Sequence, residues 1–203
     1  MTPLMTQGPE GPQRPQSVPV PAIGWLAAGA ARRAAAAVGG ALLVGLASQF
    51  AVPLPGTPVP VTLQVPAVLL VGALLGPRVG AASMVVYLAL GVAGLPVFAP
   101  VGAPGFARLL GPTGGYLLAY PLAAVLTGHI VRDARSWPRL AAGLLAGLAA
   151  IYAGGTVQLA VLTGDSGAAW RLGSQPFFLM DLVKLLVVAL LLRRFAPTIR
   201  ARL

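Results

Sequence analysis

Two side chains stand where an apolar run should exclude them. In PFFLMDLVKLLVVALLLRRF, Asp181 and Lys184 interrupt a stretch that is otherwise apolar from Phe177 to Leu192, and Lys184 is the only lysine in the chain. A charge near the middle of a bilayer costs at least a few kcal/mol, so it faces protein or a water-filled cavity. At i and i+3 the two share one face of a helix. Two uses fit that geometry. One is an internal ion pair that neutralises itself and joins helices; the other is a ligand site presenting an acceptor and a donor side by side.

A second charge, Arg108, lies in LPVFAPVGAPGFARLLGPT, a segment too irregular to span and too apolar for a solvent loop. Irregular backbone of that kind survives near a membrane when it packs into protein or lines a cavity. Arg108 either snorkels to the surface or offers its fork to an anionic group. Just beyond it, Gly111 to Tyr116 spell GPTGGY. Thr113 is the expected N-cap, and Gly114 permits close backbone approach. The N–H groups that follow either receive a small polar ligand or simply start a well-capped helix.

The remaining polar groups are few. Thr62 and Gln64 in PVPVTLQ sit in a connection, where facing water is the default. Tyr87, Tyr116, Tyr120 and Tyr152 fall inside spans or at their starts, either as interfacial anchors or as a pocket for a ring. His129 has no evident partner and reads as interfacial.

These residues must be positioned by membrane helices. Of 203 residues 57% are hydrophobic and 9% charged, with a mean hydropathy of +0.85. That is too little charge to cover a soluble globule. Six spans are expected. They run from about Ala34 to Val52, then through LQVPAVLLVGALLG, VGAASMVVYLALGVAG, GGYLLAYPLAAVLTGHIV, RLAAGLLAGLAAIYAGGTVQLAVL and the opening stretch. The turn Gly76-Pro77-Arg78 separates the second from the third. Residues 1–24, rich in Pro, Gln and Gly, read as a disordered cytoplasmic tail, leaving 25–203 as one transmembrane domain.

Arginine placement orients the bundle. With six spans one side collects Arg32, Arg33, Arg78, Arg132, Arg135, Arg139, Arg193, Arg194, Arg200 and Arg202, against Arg108 and Arg171 on the other. The positive-inside rule then puts both termini in the cytoplasm, in an all-α integral protein of the cell membrane. The same rule accounts for the net charge of +10 without nucleic acid as a partner. Enzyme classes fall away: GxxxxGK[ST], HExxH and GxSxG are all missing, cysteine is absent, and one histidine leaves little scope for a metal. No cofactor is expected.

Five fragments in order, PVPVTLQ, LLGPRVG, YLALGVAGLPVF, GPTGGYLLAYPLAA and PFFLMDLVKLL, resemble the BioY family, the biotin-specific substrate-binding (S) components of energy-coupling-factor (ECF) transporters. The similarity runs from about Ala34 to Phe195. It implies a six-helix bundle that takes biotin from the outer side, with two ABC-type ATPases and a transmembrane coupling protein as partners. It also implies that Asp181 and Lys184 meet the ureido ring, with Arg108 the candidate for the carboxylate and Thr113, Gly114, Tyr116, Tyr87, Gln64 and Phe98 around the ligand. Leu95, Val97 and Phe106 would complete an apolar wall beside Phe98. A ureido group has two N–H donors and one carbonyl, so a carboxylate and an ammonium satisfy both kinds. Ala37, Ala41 and Gly45 recur at the spacing of close helix contact, for the coupling protein or for packing inside the bundle; Gly143 and Gly147 share the ambiguity. A subunit for another vitamin, or a structural membrane protein with the polar pair as helix glue, are the alternatives.

Overall fold

The computed structural model describes residues 22–131 and 136–200, with side chains from 29 to 131 and from 136 to 194. The tail as far as residue 21 and Arg132, Arg135 and Arg202 lie outside the described residues, as does the Arg200 side chain. Within them the regular structure is helical apart from one two-stranded ribbon.

Helix α1 spans Ala22–Gln49, starting well ahead of the expected Ala34. The run AAGAARRAAAA has high helix propensity and contains nothing to break it. Beyond Gln49, Ala51–Val52 (β1) pairs antiparallel with Val61–Thr62 (β2), with Ala51 opposite Thr62 and Val52 opposite Val61. The proline-rich segment between them turns through Gly56. The expected end of the first span at Val52 therefore belongs to the ribbon.

Helix α2 covers Gln64–Val92, but it is no straight rod. Gly76 sits at φ 77°, ψ 177°, outside helical space, and Pro77 follows it. The Gln64 amide donates to the Tyr87 hydroxyl at 2.6 Å. In an unbroken helix those residues would be about 35 Å apart at 1.5 Å per residue. A Cβ on Gly80 would lie 2.9 Å from the Gly72 Cα. The stretch therefore folds back on itself, and residues 64–75 and 77–92 form two antiparallel arms, the expected second and third helices with their expected turn.

The others are α3 (Ala107–Leu110), α4 (Gly114–Ile130), α5 (Trp137–Thr163), α6 (Ser166–Gly173) and α7 (Phe178–Arg200). Helices α4 and α5 lie where hydropathy put them. Helix α6 was not anticipated: Gly164 closes α5 in the left-handed region at φ 71°, and Asp165 caps α6 by accepting from the Gly167 amide at 2.7 Å.

Glycine sets the packing at one end of the bundle. A Cβ on Gly72 would lie 2.7 Å from the Ala124 carbonyl oxygen, and one on Gly128 would lie 2.5 Å from that of Gly72. There the first arm of α2 and α4 touch backbone to backbone. Gly147 of α5 faces Thr127 and Leu69, and Gly143 faces Val131, so both pack inside the bundle. Gly29–Gln49, Gln64–Val92 and Trp137–Thr163 are long and apolar enough to cross a membrane; Ser166–Gly173 with Phe178–Arg194, bent by 50°, makes a fourth if the pair is one span.

Candidate functional site

At the other end the helices part around a cavity of about 620 Å³, its mouth included. Its walls come from β2, the starts of α2, α4 and α7, the middle of α5, and the connection through α3.

Asp181 occupies the first turn of α7 and is 3% exposed. Its Oδ1 accepts from Lys184 Nζ at 2.9 Å, and its Oδ2 accepts from the Tyr152 hydroxyl at 2.8 Å. Lys184 also donates to the Thr62 carbonyl at 3.0 Å, across 122 residues of chain. An ammonium has three donors, so one N–H remains, and each carboxylate oxygen keeps a lone pair. The cluster can therefore give one hydrogen bond and accept two. Its chemical complement is a carbonyl flanked by N–H groups.

Arg108 is 6% exposed and does not snorkel. Its Nη2 donates to the Ala99 carbonyl at 2.6 Å and its Nη1 to that of Val101, while Nε is buried without a partner among the described residues. The two described ion pairs are Asp165 with Arg171 and Asp181 with Lys184, so Arg108 has no counter-ion among the described residues. Burial lowers its pKa from the ordinary value, an effect that Tyr87 partly opposes. The guanidinium still stays protonated at physiological pH. It is a buried cation, on a cavity wall, with spare donor capacity.

Side chains brace the connection before α3. Ser48 donates to the Val97 carbonyl at 2.7 Å; Gln49 donates to those of Pro96 and Phe98 at 3.1 and 3.3 Å. With Arg108 they fix the backbone that points Phe98 into the cavity. From α5, Gln158 donates to the carbonyls of Leu109 and Gly111 at 2.8 and 2.7 Å. Thr57, in the ribbon loop, donates to the Leu172 carbonyl at 2.6 Å and ties that loop to α6.

Asp181, Lys184, Arg108, Thr113, Tyr116, Gln64 and Phe98 all line the cavity. Tyr87 stands behind the wall, fully buried, bonded to Gln64 and with its ring edge-on to Phe98 at 5.4 Å. Gly114 is not on the wall; a Cβ there would run into the Leu109 carbonyl and the Gln158 amide, so its role is packing. Thr113 precedes α4 but makes no side-chain cap, because its backbone is already near-helical at φ −97°, ψ −6°. Gln64 is buried rather than facing water, and Thr62 contributes its carbonyl.

The apolar wall differs from expectation. Leu95 and Phe106 are half exposed or more, and Val97 packs toward Gly45. Val59, Val61, Val65, Leu117 and Phe177 take their place beside Phe98. Ala37, Ala41 and Gly45 are buried within the chain, Ala41 completely, so in this conformation they present no face to a partner. His129 is exposed in the last turn of α4. Tyr120 and Tyr152, expected either as interfacial anchors or in a pocket for a ring, line the cavity, and so does Phe177, which no sequence signal placed there. Tyr116 donates to the Gly173 carbonyl at 2.7 Å and lies over Gly155.

The BioY family model matches residues 16–201. A probable biotin transporter BioY of Pyrococcus horikoshii is 41% identical over 137 residues, 68% of this chain and 80% of the relative. The biotin transporter BioY of Thermotoga maritima is 40% identical over 141 residues, 70% and 83% of the two chains. That of Rhodobacter capsulatus is 39% identical over 169 residues, 77% and 88%. Among solved structures, the S-component for biotin from an ECF-type ABC transporter superposes with a TM-score of 0.73 at 25% identity, covering 82% of this chain and 92% of that one.

Proposed function

The chain belongs to the BioY family, and on that premise we propose that it is the biotin-binding S component of an ECF-type transporter. The observation that carries the proposal is the buried Asp181–Lys184 pair opening on a cavity. In it the ureido carbonyl of biotin accepts the free Lys184 N–H, and the ureido N–H beside it donates to a lone pair left on Asp181. The fused rings lie against Phe98, Phe177 and Leu117. The carboxylate is received by Arg108, whose Nε and spare Nη protons are the unused donors.

Six crossings are proposed: α1, the two arms of α2, α4, α5 and α7. The fold-back at Gly76 supports counting α2 twice. Arg193 of α7 lies 4.6 Å over the Trp137 ring, which sets the end of α7 beside the start of α5, at the arginine-rich end. The cavity is lined at the end of the bundle away from the arginine-rich one, which supports an outward-facing site with both termini in the cytoplasm and the protein in the cell membrane. The chain has no nucleotide-binding motif of its own, so transport is assigned to a separate module of two ABC-type ATPases and a transmembrane coupling protein. For that protein α1 offers a different small-residue face from the one expected. Ala31, Ala35 and Gly39 are exposed, and a Cβ on Gly39 would meet nothing within 4 Å. Leucine at Ala35 and Gly39 should leave biotin binding intact and abolish co-purification with the coupling protein; retained co-purification would remove α1 from the interface.

The deciding experiment titrates labelled biotin into detergent-solubilised protein stripped of endogenous ligand, with thiamine and riboflavin as controls. Saturable binding of biotin alone is expected. A folded sample that binds none of the three, or prefers another vitamin, overturns the assignment. Arg108→Ala should weaken biotin more than biotinamide, and equal losses would take the carboxylate away from Arg108.

A further inference from the structure

We propose that Tyr152 is a specificity-determining positioning residue that fixes the orientation of the Asp181 carboxylate with its hydroxyl and closes the ureido end of the cavity with its ring. The inference rests on the biotin reading of the site and adds a residue to it.

A carboxylate on a helix can rotate about its terminal torsion, which has a broad, roughly two-fold profile. Held by Lys184 alone, Asp181 would keep that freedom. Tyr152 removes it, because its hydroxyl donates to Oδ2 at 2.8 Å while Lys184 holds Oδ1 at 2.9 Å. The two donors come from different helices, α5 and α7, so the plane of the carboxylate is set by the bundle. The lone pairs left for a ligand then have a fixed direction. One N–H beside a carbonyl fits it, and a ligand with that N–H replaced does not.

The ring does a second job. Tyr152 lines the ligand cavity and also an apolar groove between α5, α6 and α7, bordered by Leu148, Ala153, Thr156, Trp170 and Phe178. It is the side chain common to both walls. With the ring in place the space beyond Asp181 is closed, so a substituent on the ureido nitrogen has nowhere to go. Without it the cavity would open sideways into the groove.

The test measures biotin, biotinamide and N1′-methylbiotin against wild type, Tyr152→Phe and Tyr152→Ala. Tyr152→Phe keeps the wall and removes the hydrogen bond. Biotin and biotinamide should weaken by the same factor, about tenfold, as for one lost hydrogen bond to a charged group. The penalty for N-methylation should shrink in Tyr152→Phe and shrink further in Tyr152→Ala. Wild-type binding by Tyr152→Phe would reduce the residue to a filler and overturn the proposal, as would a changed ratio of biotin to biotinamide. If wild type binds no biotin, the functional reading fails separately. The bond is then judged on ligand-free protein, by a thermal-stability cycle of Tyr152→Phe with Asp181→Asn. Non-additive losses support it, and additive losses overturn it.

Discussion

The two ends of the bundle are built from the same helices and differ in outcome: glycines let backbones touch at both, Gly115 against Gly154 beside the cavity included, but only one end opens. At one end Gly72, Gly80 and Gly128 let the arms of α2 and α4 touch backbone to backbone, and Gly147 of α5 takes in the Thr127 and Leu69 side chains. At the other, the same elements carry Tyr87, Tyr116, Tyr120 and Tyr152, and the bundle opens around a cavity. Helix α4 shows the change along one rod, with Tyr116 and Tyr120 on the cavity wall and Gly128 against Gly72 two turns further on. In lipid there is little hydrophobic drive between helices, so close contact must come from small residues and from polar bonds. The glycine end secures the fold. The tyrosine end uses hydroxyls and buried charges to hold open a space that packing alone would collapse.

If the ends are independent in this way, mutations should separate binding from stability. The largest effect belongs to the charged pair. Lys184→Ala or Asp181→Ala should each weaken biotin by about 2–5 kcal/mol, since the survivor is left as an unpaired buried charge. Calorimetric titration checks this, and two folded variants that bind like wild type would detach the pair from the pocket. Next, Gly128→Val should lower stability by about 1–3 kcal/mol through overpacking against Gly72, while the folded fraction keeps its biotin affinity within a few-fold. A detergent melting curve beside a binding isotherm tells the two apart, and a matching fall in affinity would show that the ends communicate.

Gln158→Ala sharpens the boundary, because Gln158 links α5 to the carbonyls just before the cavity. It should cost about 1 kcal/mol in stability, with a smaller loss in binding. Arg171→Ala should shift neither quantity by more than about 0.5 kcal/mol, because its pairing with Asp165 at 3.8 Å is well exposed.

What the sequence disclosed follows from the same contrast. Asp181, Lys184 and Arg108 were legible because a charge in an apolar run is anomalous on any helix face. The turn at Gly76-Pro77 was legible because glycine and proline act locally. Tyr152 was legible only as one of four tyrosines that could anchor or line a pocket, since nothing in a run of apolar residues says which face of α5 turns toward α7. The burial of Ala37 and Ala41 was hidden for the same reason. In a soluble helix polarity separates the faces, but here the buried Ala37 and Ala41 and the exposed Ala31 and Ala35 are the same residue type. Helix α6 escaped because eight residues give no span-length signal.

The bond from Lys184 to the Thr62 carbonyl and that from Thr57 to Leu172 join residues 122 and 115 apart in sequence. Chains are made from the N-terminus, and contacts of such separation form late. Helices α1 to α5 can assemble on their glycines while the ribbon loop still waits for α6 and α7. The cavity is therefore complete only when the last helix has been synthesised, and a chain truncated before Asp181 would lack the charged pair on its wall.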